Sequence, residues 1–225
     1  MEHEQAGLST LEQARFNMIE QQIRTWEVLD PVVLDLLKKV PREAFVPAQY
    51  SGLAFADLEI PIGHGESMLS PKMEGRILQA LEIGKNDTVL EIGTGSGYLT
   101  ALLATLAKRV VSVEAIAELS ETAQQRIRQQ GITNVVLEIG DAANGWNKLA
   151  PYDVIVFTGS LPVAPESVQQ SLTVGGRMFA VIGEAPVMQA TMIRRISANS
   201  FKRDVLFETC LPALNNAPQL QRFEF

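Results

Sequence analysis

The sequence holds a single cysteine, Cys210, and only two histidines, His3 and His64. One cysteine excludes an internal disulfide and any multi-cysteine metal centre, and two histidines exclude a histidine-rich one, so no bound metal is expected. Long apolar runs are also missing. No stretch approaches the roughly 18 consecutive apolar residues that would read as a membrane helix. Met1-Glu2-His3-Glu4-Gln5 carries neither the basic region nor the apolar core of a signal peptide. A reducing, cytoplasmic setting without a membrane partner is the expectation. Positive charge is scarce as well: 19 lysines and arginines face 26 acidic residues, for a net charge of -7. Nucleic acid needs a cationic footprint, so no nucleic-acid partner is expected.

What the sequence does contain is enough apolar material for a full core. Hydrophobic residues make up 46% of 225 and charged residues 20%, a globular rather than a disordered balance. There is no internal repeat and no low-complexity stretch. Up to about Glu82 the pattern is helical and irregular. Thr10 can cap a helix with apolar positions Leu11, Ala14, Phe16, Met18, Ile19 and Ile23, a stripe read as core rather than as a dimer interface. Asp30-Pro31 opens a second helix, with Val33, Leu34, Leu37 and Val40 on its apolar face and Pro41 at its end. Phe45-Val46-Pro47 and the stretch through Ile60-Pro61-Ile62-Gly63 read as loop and short extended pieces, and Gly63-His64-Gly65 as a turn. A third helix is capped by Ser70, starts at Pro71, carries Met73, Ile77, Ala80 and Leu81, and stops at Gly84.

From Asp87 onward, short β-branched runs alternate with helical patterns. Strands are predicted at Thr88–Ile92, Val110–Glu114, Val135–Ile139, Tyr152–Phe157, Arg177–Ile182, Met188–Ile196 and Phe201–Cys210. Helices are predicted at Tyr98–Ala107, Ala117–Gln130 and about Pro165–Leu172. This alternation implies βαβ units and an α/β fold: a Rossmann-like, doubly wound, mostly parallel seven-stranded sheet with an N-terminal helical extension. Only Ser197-Ala198-Asn199-Ser200 separates the last two strands, so they should form an antiparallel C-terminal hairpin at a sheet edge. A ligand crevice belongs at the carboxyl ends of the parallel strands.

At that end of the first core strand stands Glu91-Ile92-Gly93-Thr94-Gly95-Ser96-Gly97. Glycines between a strand and a helix let a ligand approach backbone amides and the helix start. The spacing is G-x-G-x-G, not the G-x-G-x-x-G of dinucleotide binders. Glycines alone also make an ordinary tight turn, so the flanking acids carry the functional weight. Glu91 precedes the turn, Glu114 ends the next strand where a carboxylate can bind ribose hydroxyls, and Asp141 follows the third. Three acids at successive strand ends suit a cationic ligand with a ribose. S-adenosylmethionine has both, whereas the pyrophosphate of NAD would be repelled.

The run Val89 to Tyr98 resembles the first motif of the protein-L-isoaspartate O-methyltransferases. The likeness extends to Met18–Arg24, Val40-Pro41-Arg42-Glu43-Ala44-Phe45-Val46-Pro47, Ile60–Gly65, Gly140-Asp141 with Gly145-Trp146, Tyr152–Val156 and Val174-Gly175-Gly176-Arg177. The resemblance implies one methyltransferase domain over 1–225, with a helical and substrate segment at 1–84 and a cofactor-binding core at 85–225. It also implies S-adenosylmethionine as cofactor, held by Glu91, Gly93, Thr94, Gly95, Ser96, Gly97, Glu114, Ala115, Asp141, Ala142 and Thr158. In this assignment Glu114 holds the ribose, Asp141 and Ala142 lie near the adenine, and Thr158 sits beside the methyl donor. The implied substrates are isoaspartyl-containing peptides or proteins, and a monomer is expected. A carboxylate acceptor has an ordinary pKa of roughly 4 and is ionised at neutral pH, so no general base is required. The enzyme's task is alignment and exclusion of water.

The chain departs from the family in the acceptor-orienting segment. The family reads Thr-Ile-Ser, one residue, then Pro. Aligned on Pro71, this chain has Ser67, Met68 and Leu69, then Ser70. Leu69 therefore takes the place of the family serine, and Ser70 reads as a helix N-cap rather than as a displaced active-site hydroxyl. Lys72 reads as solvent-exposed, His64 as a plain loop residue, Cys210 as a small core residue, Trp26 and Trp146 as packing residues, and Arg194-Arg195 and Lys202-Arg203 as solvated edge charges. After Leu214 the tail, Asn215-Asn216-Ala217-Pro218 and Gln219 to Phe225, does not match. Leu69 keeps open a second reading, a relative that uses the same cofactor on a different, small-molecule acceptor. A non-catalytic cofactor-binding relative is a third.

Overall fold

The computed structural model describes residues 9–218. Expectations that fall on Met1–Gln5, His3 and the tail from Gln219 lie outside the described residues. Contacts divide the chain into two compact units, Met1–Gln79 and Ala80–Phe225.

The first unit opens with α1 (Thr10–Asn17), whose N-cap is Ser9, not Thr10. Ser9 Oγ accepts from the Glu12 amide while the Glu12 carboxylate accepts from the Ser9 amide, a reciprocal pair that satisfies two otherwise orphaned donors. The expected apolar stripe then runs beyond α1 into a wider π turn, Met18–Ile23, and a 3-10 turn, Arg24–Trp26. Met18, Ile19 and Ile23 are fully buried there. In α2 (Pro31–Lys39) the Asp30 carboxylate caps the Val32 amide, as the Asp-Pro signal predicts. A short hairpin, β1 (Ile60–Gly63) and β2 (Glu66–Met68), turns through Gly63, His64 and Gly65, all at positive φ.

The helix α3 (Pro71–Leu81) ends earlier than Gly84, with Glu82 at φ +48°. Arg177 explains the stop: its guanidinium donates to the carbonyls of Leu81 and Glu82 and to the Asp87 carboxylate. These bonds satisfy carbonyls that the helix end leaves unpaired.

The second unit is the seven-stranded sheet. Its strands are β3 (Thr88–Ile92), β4 (Arg109–Glu114), β5 (Val135–Ile139), β6 (Tyr152–Leu161), β7 (Leu172–Glu184), β8 (Val187–Ser197) and β9 (Ser200–Thr209). Their order is β5-β4-β3-β6-β7-β8-β9. The first five are parallel, joined through α4 (Tyr98–Leu106), α5 (Ala117–Gln129) and α6 (Glu166–Gln170). The last two run antiparallel, so the expected edge hairpin is present, and β7 to β8 is antiparallel too. Leu90, Ile92, Val111, Val113, Ile155, Phe157, Met178 and Ala180 belong to one buried cluster.

Three expectations fail here for local reasons. β7 begins at Leu172 rather than Arg177. Tyr152 pairs with Leu172 and Val154 with Arg177, so the extra residues, Gly175-Gly176 among them, bulge within the strand. Cys210 is exposed, because it follows an edge strand whose side chains are mostly solvent-facing. Arg195 is no solvated edge charge: it donates to the carbonyls of Gln170 and Leu172 at the end of α6. Arg194 is half-buried beside it, while Lys202 and Arg203 are exposed as expected.

Candidate cofactor site

The glycine turn hangs from β3. The Gly93 amide donates to the Val113 carbonyl of β4, which continues the ladder one residue past the strand. The chain then reverses with φ of +96° at Gly93, +53° at Gly95 and +84° at Gly97, all in the region that side chains disfavour. At Gly93 the need is also one of space: a Cβ there would lie 2.1 Å from Thr158 Oγ1. Thr158, from β6, crosses under the turn and donates its hydroxyl toward the carbonyls of Ile92 at 3.0 Å and Gly93 at 2.8 Å. Ser96 accepts from the Tyr98 amide at 3.2 Å at the start of α4, and the whole of α4's first turn is buried.

The three acids are not equivalent. Glu114, at the end of β4 and 6% exposed, accepts from the Gly95 amide at 2.8 Å and from the Ile116 amide at 3.1 Å. It therefore lies against the turn. Asp141 follows β5, is exposed, and accepts from the Ala143 amide at 3.0 Å. Glu91 corrects the expectation of an acid displayed at a strand end, since it is 0% exposed. Its Oε2 accepts from Ser112 Oγ at 2.6 Å and Thr100 Oγ1 at 2.5 Å, and Ser112 Oγ lies 2.6 Å from Thr94 Oγ1. The other oxygen, Oε1, is buried with no hydrogen-bond partner among the described residues. Burial pushes this carboxyl up to about 8; the hydrogen bonds from Ser112 and Thr100 oppose the shift and the charge of Glu114 adds to it. Burial thus favours the uncharged form of Glu91.

Of the remaining expected residues, Thr94 and Ser96 are buried, Ala142 is buried behind Asp141, and Ala115 is exposed just past β4. Trp146 is packed against the core cluster and lies over Gly140, where a Cβ would come within 2.8 Å of the ring. Ser112 and Thr100 were not expected in the site. Ser112 is the lone hydroxyl of the apolar run Val110–Val113 and pairs in register with Glu91; Thr100 shares its helix with the Tyr98 and Thr105 hydroxyls and carries no such signal.

The acceptor segment belongs to the first unit. Ser67 is exposed on β2, while Leu69 and Ser70 are each 9% exposed. The Ser70 carbonyl accepts from the Glu74 amide at 3.1 Å, which is the N-cap position. The Leu69 carbonyl is held at 2.7 Å by Nη2 of Arg42, a residue 0% exposed, whose Nε donates to the Ala54 carbonyl at 2.8 Å and whose Nη1 pairs with Glu74. A buried arginine thus fixes the backbone of this segment. Lys72 is not simply solvated: its ammonium bonds Asp57 at 2.8 Å and lies 4.5 Å from the Trp26 ring centre. Trp26 itself is 48% exposed, so it covers Lys72 rather than filling the core.

The sequence profile of the protein-L-isoaspartate(D-aspartate) O-methyltransferases matches residues 13–214. The chain belongs to this family. It is a methyltransferase with the family's α/β fold. It is 40% identical over 199 residues to the protein-L-isoaspartate O-methyltransferase of Magnetococcus marinus, covering 88% of this chain and 86% of that protein. It is 38% identical over 201 residues to protein-L-isoaspartate O-methyltransferase 2 of Pelobacter propionicus, covering 89% of each. Its fold is shared, at a TM-score of 0.78 and 19% identity, by a Plasmodium falciparum structure assigned to the same enzymes in complex with S-adenosyl-L-homocysteine. That likeness covers 92% of this chain and 99% of the other. Among the described residues no helix is long and apolar enough to cross a membrane, and no cluster of three or more His, Cys, Asp or Glu side chains could hold a metal ion.

Proposed function

We propose that this methyltransferase uses S-adenosylmethionine to esterify isoaspartyl carboxylates in damaged peptides and proteins, as a cytoplasmic monomer. The observation that carries the cofactor assignment is the bare turn at Gly93 with Glu114 folded against it. A side chain at Gly93 has no room, and the adjoining carboxylate suits a cationic nucleoside.

The residues fit the cofactor in three respects. The glycine turn gives a backbone approach. Glu114 and Asp141 place negative charge and acceptors at successive strand ends. Buried Glu91 holds the turn from below through Ser112 and Thr94. We assign cofactor binding to Gly93, Thr94, Gly95, Ser96, Gly97, Glu114, Ala115, Asp141, Ala142 and Thr158, with Glu91 as the residue beneath the turn. Bound there, S-adenosylmethionine supplies a methyl group on a positively charged sulfur, open to in-line attack.

The chain's own part is then positioning. Ionised at neutral pH, the acceptor carboxylate needs no base. We assign its orientation to Ser67–Ser70, with the backbone at Leu69 rather than a serine hydroxyl at that position. Thr158 also holds the turn through the Ile92 and Gly93 carbonyls, which supports the cofactor cradle.

The test is methylation of a matched peptide pair. A base-labile methyl ester should form on the isoaspartyl peptide and not on its aspartyl twin. Leu69 favours a second reading, a different small-molecule acceptor. Ester on neither peptide, with cofactor binding intact and methyl transfer from labelled cofactor to an acceptor in cell extract, would select that reading.

A further inference from the structure

Beyond the last strand the chain does not leave the sheet unit but returns to its carboxyl end. The Ser160 amide donates to the Pro212 carbonyl at 2.9 Å, Ser160 Oγ donates to the Leu211 carbonyl at 2.9 Å, and the Leu214 amide donates to the Ser160 carbonyl at 3.0 Å. Leu211 and Ala217 are buried, at 4% and 7% exposure. Between these anchors Leu214 presses on the site. Its side chain lies 2.9 Å from where a Cβ of Gly159 would stand and 3.6 Å from that of Gly93. The strap then turns, with the Ala217 amide bonded to the Leu214 carbonyl at 3.2 Å and Asn216 at φ +59°. This turn aims Asn216 Nδ2 at Asp141 Oδ2, 3.0 Å away.

We propose that Asn216 is a positioning residue for nucleoside recognition: it fixes Asp141 as the hydrogen-bond acceptor for the amino group of the cofactor's base. The inference rests on the placement of the cofactor at the glycine turn. From that turn the acids step along adjacent strands, Glu114 at the end of β4 and Asp141 one strand further, after a Gly140 amide bonded to the Glu114 carbonyl at 2.9 Å. A ligand with its ribose at Glu114 brings its base to Asp141. The adenine base offers one exocyclic amino group, and a carboxylate is its complement.

Asp141 is exposed and would otherwise rotate. The Ala143 amide holds Oδ1 and Asn216 holds Oδ2, which leaves each oxygen a lone pair in a fixed direction. A pre-set acceptor loses less freedom on binding than a mobile one.

The test is calorimetric binding of S-adenosylhomocysteine against S-inosylhomocysteine, whose base carries an oxygen in place of the amino group. Wild type should prefer the adenosine compound. Asn216→Gly accepts the positive φ and removes only the amide. Asn216→Asp keeps the shape and turns the donor into an acceptor. In both variants affinity for S-adenosylhomocysteine should fall about three- to tenfold, the size of one hydrogen bond. Affinity for the inosine compound should barely move, so the preference contracts. Melting curves report whether each variant is folded, and the ratio between ligands is insensitive to a partly unfolded fraction. An unchanged ratio in both variants would overturn the role of Asn216 while leaving the pocket in place. Failure of the wild type to bind either compound would instead overturn the pocket assignment.

Discussion

Ser112 Oγ donates to Glu91 Oε2 across 2.6 Å, joining β4 to β3 beneath the glycine turn. The carboxyl it contacts is fully buried and raised from its ordinary 4.5 to about 8. The folded state therefore keeps a proton that the unfolded chain releases near 4.5. Glu91's contribution to stability is fully present below that pH, is lost progressively as pH rises toward 8, and is gone above it. The slope is at most about 1.4 kcal/mol per pH unit. Glu91→Gln keeps the shape and removes the titration. Between pH 5 and 8 the melting temperature of the wild type should fall more steeply than that of the variant. Glu74, raised by burial to about 7 beside Arg42, titrates in the same direction but is common to both proteins. Parallel curves would show that Glu91 gains no extra proton affinity on folding.

The strands nearest the site were legible because parallel strands covered on both faces read as short apolar runs between turn residues. Thr88–Ile92 and Val135–Ile139 begin and end where the pattern places them. The direction of Glu91 was not legible for the same reason: with Leu90 and Glu91 both buried, alternation does not distinguish an outer face from an inner one. The strap over Ser160 was hidden differently. Its bonds are made by the backbone and by residues some fifty positions apart, and neither leaves a periodic signal. Arg195 reads as a surface charge in sequence, yet it satisfies helix-end carbonyls, as Arg177 does, and those contacts are visible only once helix and strand are brought together.

Gly93 carries two separable constraints, its φ of +96° and the 2.1 Å approach of Thr158 Oγ1 to any Cβ. Gly93→Ala should abolish measurable binding of S-adenosylhomocysteine and lower the melting temperature. Adding Thr158→Ala removes the collision and leaves the backbone cost, of order 1–3 kcal/mol. The double variant should therefore recover part of the stability lost by the single one. Thr158→Ala alone gives the cost of losing the hydroxyl's bonds to the Ile92 and Gly93 carbonyls; no recovery beyond that cost would mean that the conformation of the turn, not its collision with Thr158, sets the requirement.

Arg42 and Glu74 are a buried pair whose members depend on each other, at 0% and 2% side-chain exposure. Removing Arg42 leaves the Glu74 carboxyl buried without its partner, a loss of about 3–5 kcal/mol. Arg42→Met should show that loss in urea denaturation. Arg42→Met with Glu74→Met removes both charges and should be more stable than Arg42→Met alone. It should stay below wild type, because the carbonyls of Leu69 and Ala54 lose their donor. A double variant no more stable than the single one would place the loss in those carbonyl contacts instead of in the ion pair.

Leu69 stands in the position of the family's serine, but its side chain is 9% exposed and its backbone is pinned by Arg42. Leu69→Ser removes buried apolar volume and introduces a hydroxyl at a mostly buried position, so stability should fall by about 2–4 kcal/mol. Activity should respond less. With the acceptor already ionised, a serine there can only orient it, and the backbone of this segment is already fixed. Turnover of the isoaspartyl peptide by folded Leu69→Ser should stay within about threefold of wild type, the effect of less than one neutral hydrogen bond. The measurement is kcat on the paired peptides below the variant's melting range. A rise well beyond threefold, confined to the isoaspartyl peptide, would show that the hydroxyl does orienting work that the leucine-bearing chain forgoes.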